Sequence, residues 1–329
     1  MAARQRLALA CGDYDRTRAL RDGTVTPEGI DLIYLPMSPE EVFFRMARHR
    51  EFDASELSLS SYVVSLDSET PPFVAIPVFP SRAFRHSGIF VSARSGIDDP
   101  SQLAGGRVGV AEYQLTANVW IRGILSDHYG LPVDAVTYVT GGLDEPGRIE
   151  KLRVELPEAI RTERAPADTT LSQLLADGEL DAIYSPRMPS SFRTGQVTRM
   201  FEDWAQVERE YFETTGIFPI MHVIALRREL YEQMPWIAMS LLKAFEQALA
   251  AIKPALHEAA ALQYSLPWLL AHVEEMETVL GPDPWGGGLE RNRAVLDTFL
   301  RYSAEQGLAR AVRQPEELFA PETLERFAV

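Results

Sequence analysis

Short apolar runs alternate with polar turns and helical periods through the first two-thirds of the chain. Leu7–Cys11, Ile30–Tyr34, Phe52–Glu56 and Phe73–Phe79 read as strands, each bounded by turn residues such as Thr26-Pro27-Glu28-Gly29. Between them, Pro39–Arg48 has a helical period that puts Val42, Phe43 and Met46 on one side. Leu59–Leu66 starts a further helix behind a serine cluster, and Arg16–Asp22 suits a short one. A second series follows from Ser95. It comprises strands at Arg107–Ala111, Ala135–Val139 and Asp181–Tyr184, and helices at Thr116–Tyr129 and Thr170–Asp177, the first turning Trp120, Ile124 and Leu125 inward. Residues 141–168 are rich in Pro, Glu, Arg and Gly and read as an elaborated loop. After the apolar strand Phe218–Leu226 the pattern is helical to the end.

Strands alternating with helices imply a largely parallel sheet covered on both faces, the α/β class. The expected organisation is two lobes. The first is residues 1–92 with 216–329, which carries the C-terminal helices, and the second is an inserted α/β lobe at 93–215. Two extended crossings, His86–Val91 and Phe218–Leu226, would form a hinge with a cleft between the lobes.

Composition narrows the function. With 32 Lys and Arg against 47 Asp and Glu, the net charge of −15 argues against nucleic acid and anionic membranes as partners. A few arginines in a cleft can still reverse the field for a small anion. The single cysteine, Cys11, permits no internal disulfide and suits a reducing compartment. Arg4 and Arg6 precede an apolar run too short for a signal peptide, and no run approaches the ~20 residues of a membrane span. A cytoplasmic protein is expected, with homo-oligomerisation open.

Several stretches carry a resemblance. They are Cys11-Gly12-Asp13-Tyr14-Asp15-Arg16-Thr17, Phe44-Arg45-Met46, the run Glu51–Tyr62, and above all Ile76-Pro77-Val78-Phe79-Pro80-Ser81-Arg82-Ala83-Phe84-Arg85-His86-Ser87. Glu112–Ala117, Trp120–Gly123 and Thr140-Gly141-Gly142 add to it. Over about residues 5–230 the chain resembles the 4,5-dihydroxyphthalate decarboxylase family, an enzyme branch of the periplasmic-binding-protein type II fold. The resemblance implies loss of one carboxylate from 4,5-dihydroxyphthalate, giving protocatechuate and carbon dioxide. The rival class is a non-enzymatic protein that binds or senses a small organic acid, and an enzyme of cofactor-precursor synthesis on the same fold is a third.

The chemistry asks for anion recognition and one proton transfer. Arg82 and Arg85 stand where the first lobe hands over to the hinge, and a guanidinium grips a carboxylate bidentately. Arg187, after the strand Asp181–Tyr184, would add a charge from the second lobe. Ser58 and Ser60 open one helix, and Tyr113 and Thr116 hold the matching place in the second lobe, where helix N-termini favour anions. Of six histidines, His86 and His222 fall on the two crossings and are the candidates for proton transfer. No His-Glu-x-x-His, His-x-His or cysteine cluster marks a metal site, although Asp13, Asp15, Asp53 and Glu56 could act with His86 as ligands. The expectation is a reaction without metal or cofactor.

Overall fold

The protein is described from a computed structural model, which describes residues 4–148, 150–152 and 154–324. Among these residues the strands are β1 (Gln5–Cys11), β2 (Ile30–Pro36), β3 (Ala54–Ser58), β4 (Phe73–Arg82), β5 (Ile89–Ser92), β6 (Arg107–Val110), β7 (Thr137–Thr140), β8 (Arg161–Arg164), β9 (Ala182–Tyr184), β10 (Val197–Arg199) and β11 (Ile220–Arg227). The chain divides into two compact units. Unit 1 is Met1–Arg82, Ile220–Asp297 and Arg313–Val329; unit 2 is Ala83–Pro219 and Thr298–Val312.

Unit 1 holds a five-stranded sheet in the order β2-β1-β3-β11-β4. β1 pairs in parallel with β2 and β3, while β11 runs antiparallel between β3 and β4. The carboxyl ends of β1, β3 and β4 therefore lie at the same edge as the amino end of β11. The two-residue pleat turns Leu7, Leu9 and Cys11 of β1 to one face, together with Ala54, Ile76, Val78, Ile224 and Leu226. Helix Trp236–Ala250 covers that face with Ile237, Leu241, Phe245 and Ala248. Each fully buried aliphatic side chain contributes about 1.5–3 kcal/mol. The cluster thereby fixes the register that sets the strand ends.

Unit 2 holds a six-stranded sheet, β10-β5-β9-β6-β7-β8, with β6 parallel to β7 and β9, β7 parallel to β8, and β5 antiparallel to β9 and β10. Its core gathers Phe90, Val139, Leu171, Leu174, Ile183 and Val197. On helix Thr116–Tyr129, Trp120, Ile124 and Leu125 are buried, and Trp120 packs against Phe299 and Tyr302 of the C-terminal helix Leu289–Glu305. Gly123 permits this approach, since a Cβ there would meet the Tyr302 ring at 2.2 Å.

Several expectations differ from the structure. The unit boundaries fall at Arg82/Ala83 and Pro219/Ile220, not at 92/93 and 215/216, and the stretch Thr298–Val312 joins unit 2. His86 lies in a 3-10 turn, His86–Gly88, ahead of β5, and is not on an extended crossing. Its neighbour Arg85 stands before that turn. The loop expected at 141–168 contains β8, and the helix Trp204–Thr215 was not anticipated. Among the described residues no helix is long and apolar enough to cross a membrane.

Candidate active site

A fully buried carboxylate of unit 1, Glu56, lies on β3 toward the strand edge just defined. β3 reads Ala-Ser-Glu-Leu-Ser, and all five residues are buried. A carboxylate in such a strand needs partners, because burying it alone is costly. Glu56 has four. The backbone N–H of Gly12 donates to Oε2 at 2.8 Å, and the Cys11 thiol contacts the same oxygen at 3.5 Å. The Tyr14 hydroxyl donates to Oε1 at 2.9 Å, and Nδ1 of His222 lies 2.5 Å from that oxygen. Burial pushes the Glu56 carboxyl up. The His222 charge and hydrogen bond, with those of Gly12 and Tyr14, more than offset this and hold it below its ordinary range. Glu56 is therefore a carboxylate, and Nδ1 facing it carries a hydrogen.

His222 comes to this place through an irregularity. It pairs with Ser58 on β3 and with Ser81 on β4, and the β11–β4 register shifts on both sides of it. Such bulges re-aim a side chain, here at the carboxyl ends of the parallel strands, where open α/β sheets bind ligands. Glu56 is fully buried but the His222 side chain is 17 % exposed, with Phe43 edge-on at 4.8 Å. Nε2 is thus the nitrogen left for a reactant. A histidine oriented by a buried carboxylate is suited to giving and taking one proton.

The turn after β1 supports the pair. Tyr34 donates to the Gly12 carbonyl at 2.6 Å and lies 2.9 Å from the Thr17 hydroxyl. Burial, reinforced by the Glu56 charge, pushes the Tyr14 phenol far up, so it stays a donor. Burial does the same to the Cys11 thiol. A Cβ on Gly12 would meet the Tyr14 ring at 2.4 Å, so glycine is what lets the ring fold back over the turn.

The other expected residues are placed as follows. Ser58 is the N-cap of helix Leu59–Ser65, its Oγ accepting from Ser61 N at 3.3 Å, and Ser60 is buried in the first turn. Arg82 is buried in unit 1, where Nη2 donates to the Gly286 carbonyl at 3.2 Å and to Asn292 Oδ1; burial draws it down to about 9. Arg85 belongs to unit 2, where burial lowers it to about 10 against the opposing charge of Glu208. His86, also in unit 2, is 1 % exposed and ringed by Tyr129, Phe201 and Tyr211. Neither of its nitrogens has a hydrogen-bond partner among the described residues. Burial, with the nearby His128 charge, lowers it to about 4 and keeps it neutral. The Tyr113 hydroxyl donates to the Gln306 carbonyl at 3.2 Å, and its ring lies 3.8 Å from the Arg122 guanidinium. Thr116 is buried at the head of helix Thr116–Tyr129, and Arg187 is exposed beyond β9. The structure thus brings Ser58 together with His222, and leaves His86 in an apolar box.

The acidic residues offered as metal ligands are otherwise engaged. Asp13 pairs with Arg21, Asp15 with Arg16, Asp53 with Arg227, and Glu56 with His222. Among the described residues, no three His, Cys, Asp or Glu side chains converge as a metal's ligands would.

The chain is 44 % identical over 325 residues to a 4,5-dihydroxyphthalate decarboxylase of Comamonas testosteroni, covering 98 % of both chains. It belongs to the 4,5-dihydroxyphthalate decarboxylase family. A second decarboxylase of that name, from Pseudomonas putida, is 49 % identical over 199 residues, which is 60 % of this chain and 77 % of that one. No family model matches the chain. Among solved structures, a putative periplasmic sulfonate-binding protein of Methylobacillus flagellatus aligns over 98 % of this chain and 93 % of its own with a TM-score of 0.56 at 12 % identity. The desulfurization enzyme DSZB aligns over 98 % of each chain with a TM-score of 0.51 at 17 % identity. These fix the fold as periplasmic-binding-protein-like. Membership in the decarboxylase family makes the chain an enzyme, a carboxy-lyase.

For this decarboxylase-family chain, sequence reasoning named His222 but not the partner that orients it. As a site residue Glu56 entered only as a metal-ligand candidate, and Tyr14 was named only within the stretch that carries the resemblance. The available signal was an acid inside a strand-like run, two strands from a Gly-x-Tyr turn. Unit 2 holds a second unforeseen cluster after β6. The buried Glu112 accepts from Lys151 Nζ at 2.7 Å and Arg148 Nη2 at 2.6 Å, two cations on one carboxylate. Burial pushes Glu112 up; Lys151 and Arg148 bring it below its ordinary value.

Proposed function

We propose that the chain converts 4,5-dihydroxyphthalate to protocatechuate and carbon dioxide, protonating the ring from the His222–Glu56 pair. The substrate rests on the 98 % alignment with a decarboxylase of that name, and the mechanism on the 2.5 Å contact between His222 Nδ1 and Glu56. Each carboxylate of the substrate is para to a hydroxyl. Electron density from that oxygen raises the basicity of the carboxylate-bearing carbon. The Nε2–H of a protonated His222 delivers its proton there, and a C–H bond forms while the ring loses aromaticity. The carbon–carboxylate bond then breaks, its electron pair returns to the ring, and carbon dioxide leaves. Water restores the proton to His222, so one proton is consumed per turnover. Glu56 keeps Nδ1–H engaged and stabilises the imidazolium between turnovers. Because neither nitrogen of His86 has a hydrogen-bond partner among the described residues and burial holds the ring neutral, it is the weaker candidate for the acid.

Incubation of the purified protein with 4,5-dihydroxyphthalate should release carbon dioxide and protocatechuate in equal amounts. In heavy water the protocatechuate should carry one deuterium at the vacated carbon. Tight binding of the diacid without carbon dioxide release would support a binding protein instead.

A further inference from the structure

With Arg82 holding the Gly286 carbonyl and Asn292, unit 1 has a different cation at the strand edge. Arg16 follows the Tyr14 turn. Its guanidinium lies 4.2 Å from the Tyr14 ring centroid and 4.3 Å from that of Trp285, one aromatic ring on each contact. Its Nε donates to the Pro80 carbonyl at 2.5 Å. Pro80 is near the carboxyl end of β4, and Tyr14 hydrogen-bonds to Glu56 of β3. In the sheet order β1-β3-β11-β4, the segment from Tyr14 to Arg16 thus spans from the end of β1 to the end of β4, past the strands that carry Glu56 and His222.

The remaining edge of this guanidinium is poorly neutralised. Its acidic contact is Asp15 Oδ1 to Nη1 at 3.3 Å, and that oxygen already accepts the Arg16 backbone N–H at 2.7 Å. Nη2 has no hydrogen-bond partner among the described residues, and the side chain is 16 % exposed. Two other arginines of unit 1 each meet two carboxylates: Arg45 pairs with Glu41 and Glu51, and Arg313 with Asp67 and Glu317. A guanidinium fixed at Nε, stacked on aromatic rings, held at Nη1 by one long contact and open at Nη2 is preorganised for a planar carboxylate.

Trp285 is held in turn. The loop that carries it is tied to β4 by the Arg82 bond to Gly286 and by Gly288 N donating to the Pro77 carbonyl at 2.8 Å. A Cβ on Gly287 would meet the Pro77 carbonyl oxygen at 2.7 Å, so the loop sits as close as glycine allows.

We infer that Arg16 is a specificity-determining residue that binds the carboxylate the substrate keeps, with Arg82 and the Gly286–Gly288 loop positioning Trp285 against it. The inference rests on the reaction proposed above. An aromatic diacid has two ortho carboxylates: the one on the carbon protonated by His222 leaves, and its neighbour remains as the carboxylate of the product. A cation stacked on Tyr14, whose hydroxyl donates to Glu56, would hold that neighbour in both substrate and product. Selection for a diacid over a mono-acid would follow.

The test is steady-state decarboxylation of 4,5-dihydroxyphthalate by wild type, Arg16→Gln and Arg16→Lys, with protocatechuate affinity measured by titration calorimetry. Arg16→Gln should raise KM about 10–100-fold and weaken protocatechuate by a similar factor, while kcat falls less than about fivefold. Arg16→Lys, which keeps the charge but loses the planar fork, should fall between. An Arg16→Gln protein that melts like the wild type and keeps KM and protocatechuate affinity within twofold would overturn the assignment. A purely structural role would likewise overturn it, and would appear as equal losses in kcat and thermal stability in both variants with KM unchanged. Wild-type protein that releases no carbon dioxide would instead remove the reaction on which the assignment depends, and the assignment with it.

Discussion

Two histidines of one chain are put to opposite uses by their surroundings. His222 faces a buried carboxylate and keeps one nitrogen accessible; His86 has three aromatic neighbours and no hydrogen-bond partner among the described residues. Lowered to about 4 by burial, His86 binds its proton more weakly in the folded protein than in the unfolded chain, where it titrates near ~6.5. The unfolded state therefore takes up more protons between those values. The stability contribution is fully present above about 6.5 and is lost as pH falls toward 4, by about 3 kcal/mol in all. Urea unfolding at pH 7 and pH 4.5 should show this loss, and His86→Leu should flatten it. An unchanged pH slope in His86→Leu would mean the burial is not what holds the ring neutral. From sequence both histidines stood on expected crossings. What separates them is the partner each meets, and a contact between residues 56 and 222 has no local sign in a single chain.

Strands with an apolar pleat were legible, and strands held by pairing alone were not. β1 and β4 carry apolar runs that are mostly buried, whereas β8 reads Arg-Thr-Glu-Arg, is exposed at all four positions, and exists through its parallel pairing with β7. The helix Trp204–Thr215 buries only Glu208 and Tyr211, too few apolar positions to mark a face in advance. The serine cluster marks the start of a helix in the sequence, and the structure adds that Ser58 is its N-cap. The turn after β1 carries the sharpest dependence on one residue. Gly12→Ala should push the Tyr14 ring from its hydrogen bond with Glu56 and lower the decarboxylation rate about tenfold or more, with far-UV circular dichroism preserved. Full activity in Gly12→Ala would show that the Tyr14 contact is dispensable.

At the level of the whole molecule, the sequence pointed to two α/β portions, but not to the second portion's claim on the C-terminal helix. Leu289–Glu305 keeps one helical period across the boundary between Asp297 and Thr298, so nothing in the pattern marks the change. The tie is aromatic: Phe299 and Tyr302 lie against Trp120 within unit 2. Phe299 is fully buried, and Phe299→Ala should cost about 3–5 kcal/mol. Hydrogen exchange should quicken in helix Thr116–Tyr129 and in β6, while the β1 and β3 amides of unit 1 keep their protection. Equal loss of protection in both units would contradict the division.

The central claim, that a carboxylate-oriented His222 protonates the substrate ring, is tested most directly by measuring carbon dioxide release from 4,5-dihydroxyphthalate by His222→Asn and His86→Asn side by side. Asparagine is similar in size to histidine but cannot exchange a proton, and general acid catalysis is typically worth ~10²–10⁴-fold. His222→Asn should lose about that factor while still binding protocatechuate, and His86→Asn, provided it folds, should stay within about threefold of the wild type. Near-wild-type turnover in His222→Asn, with the loss falling on a folded His86→Asn, would contradict the account.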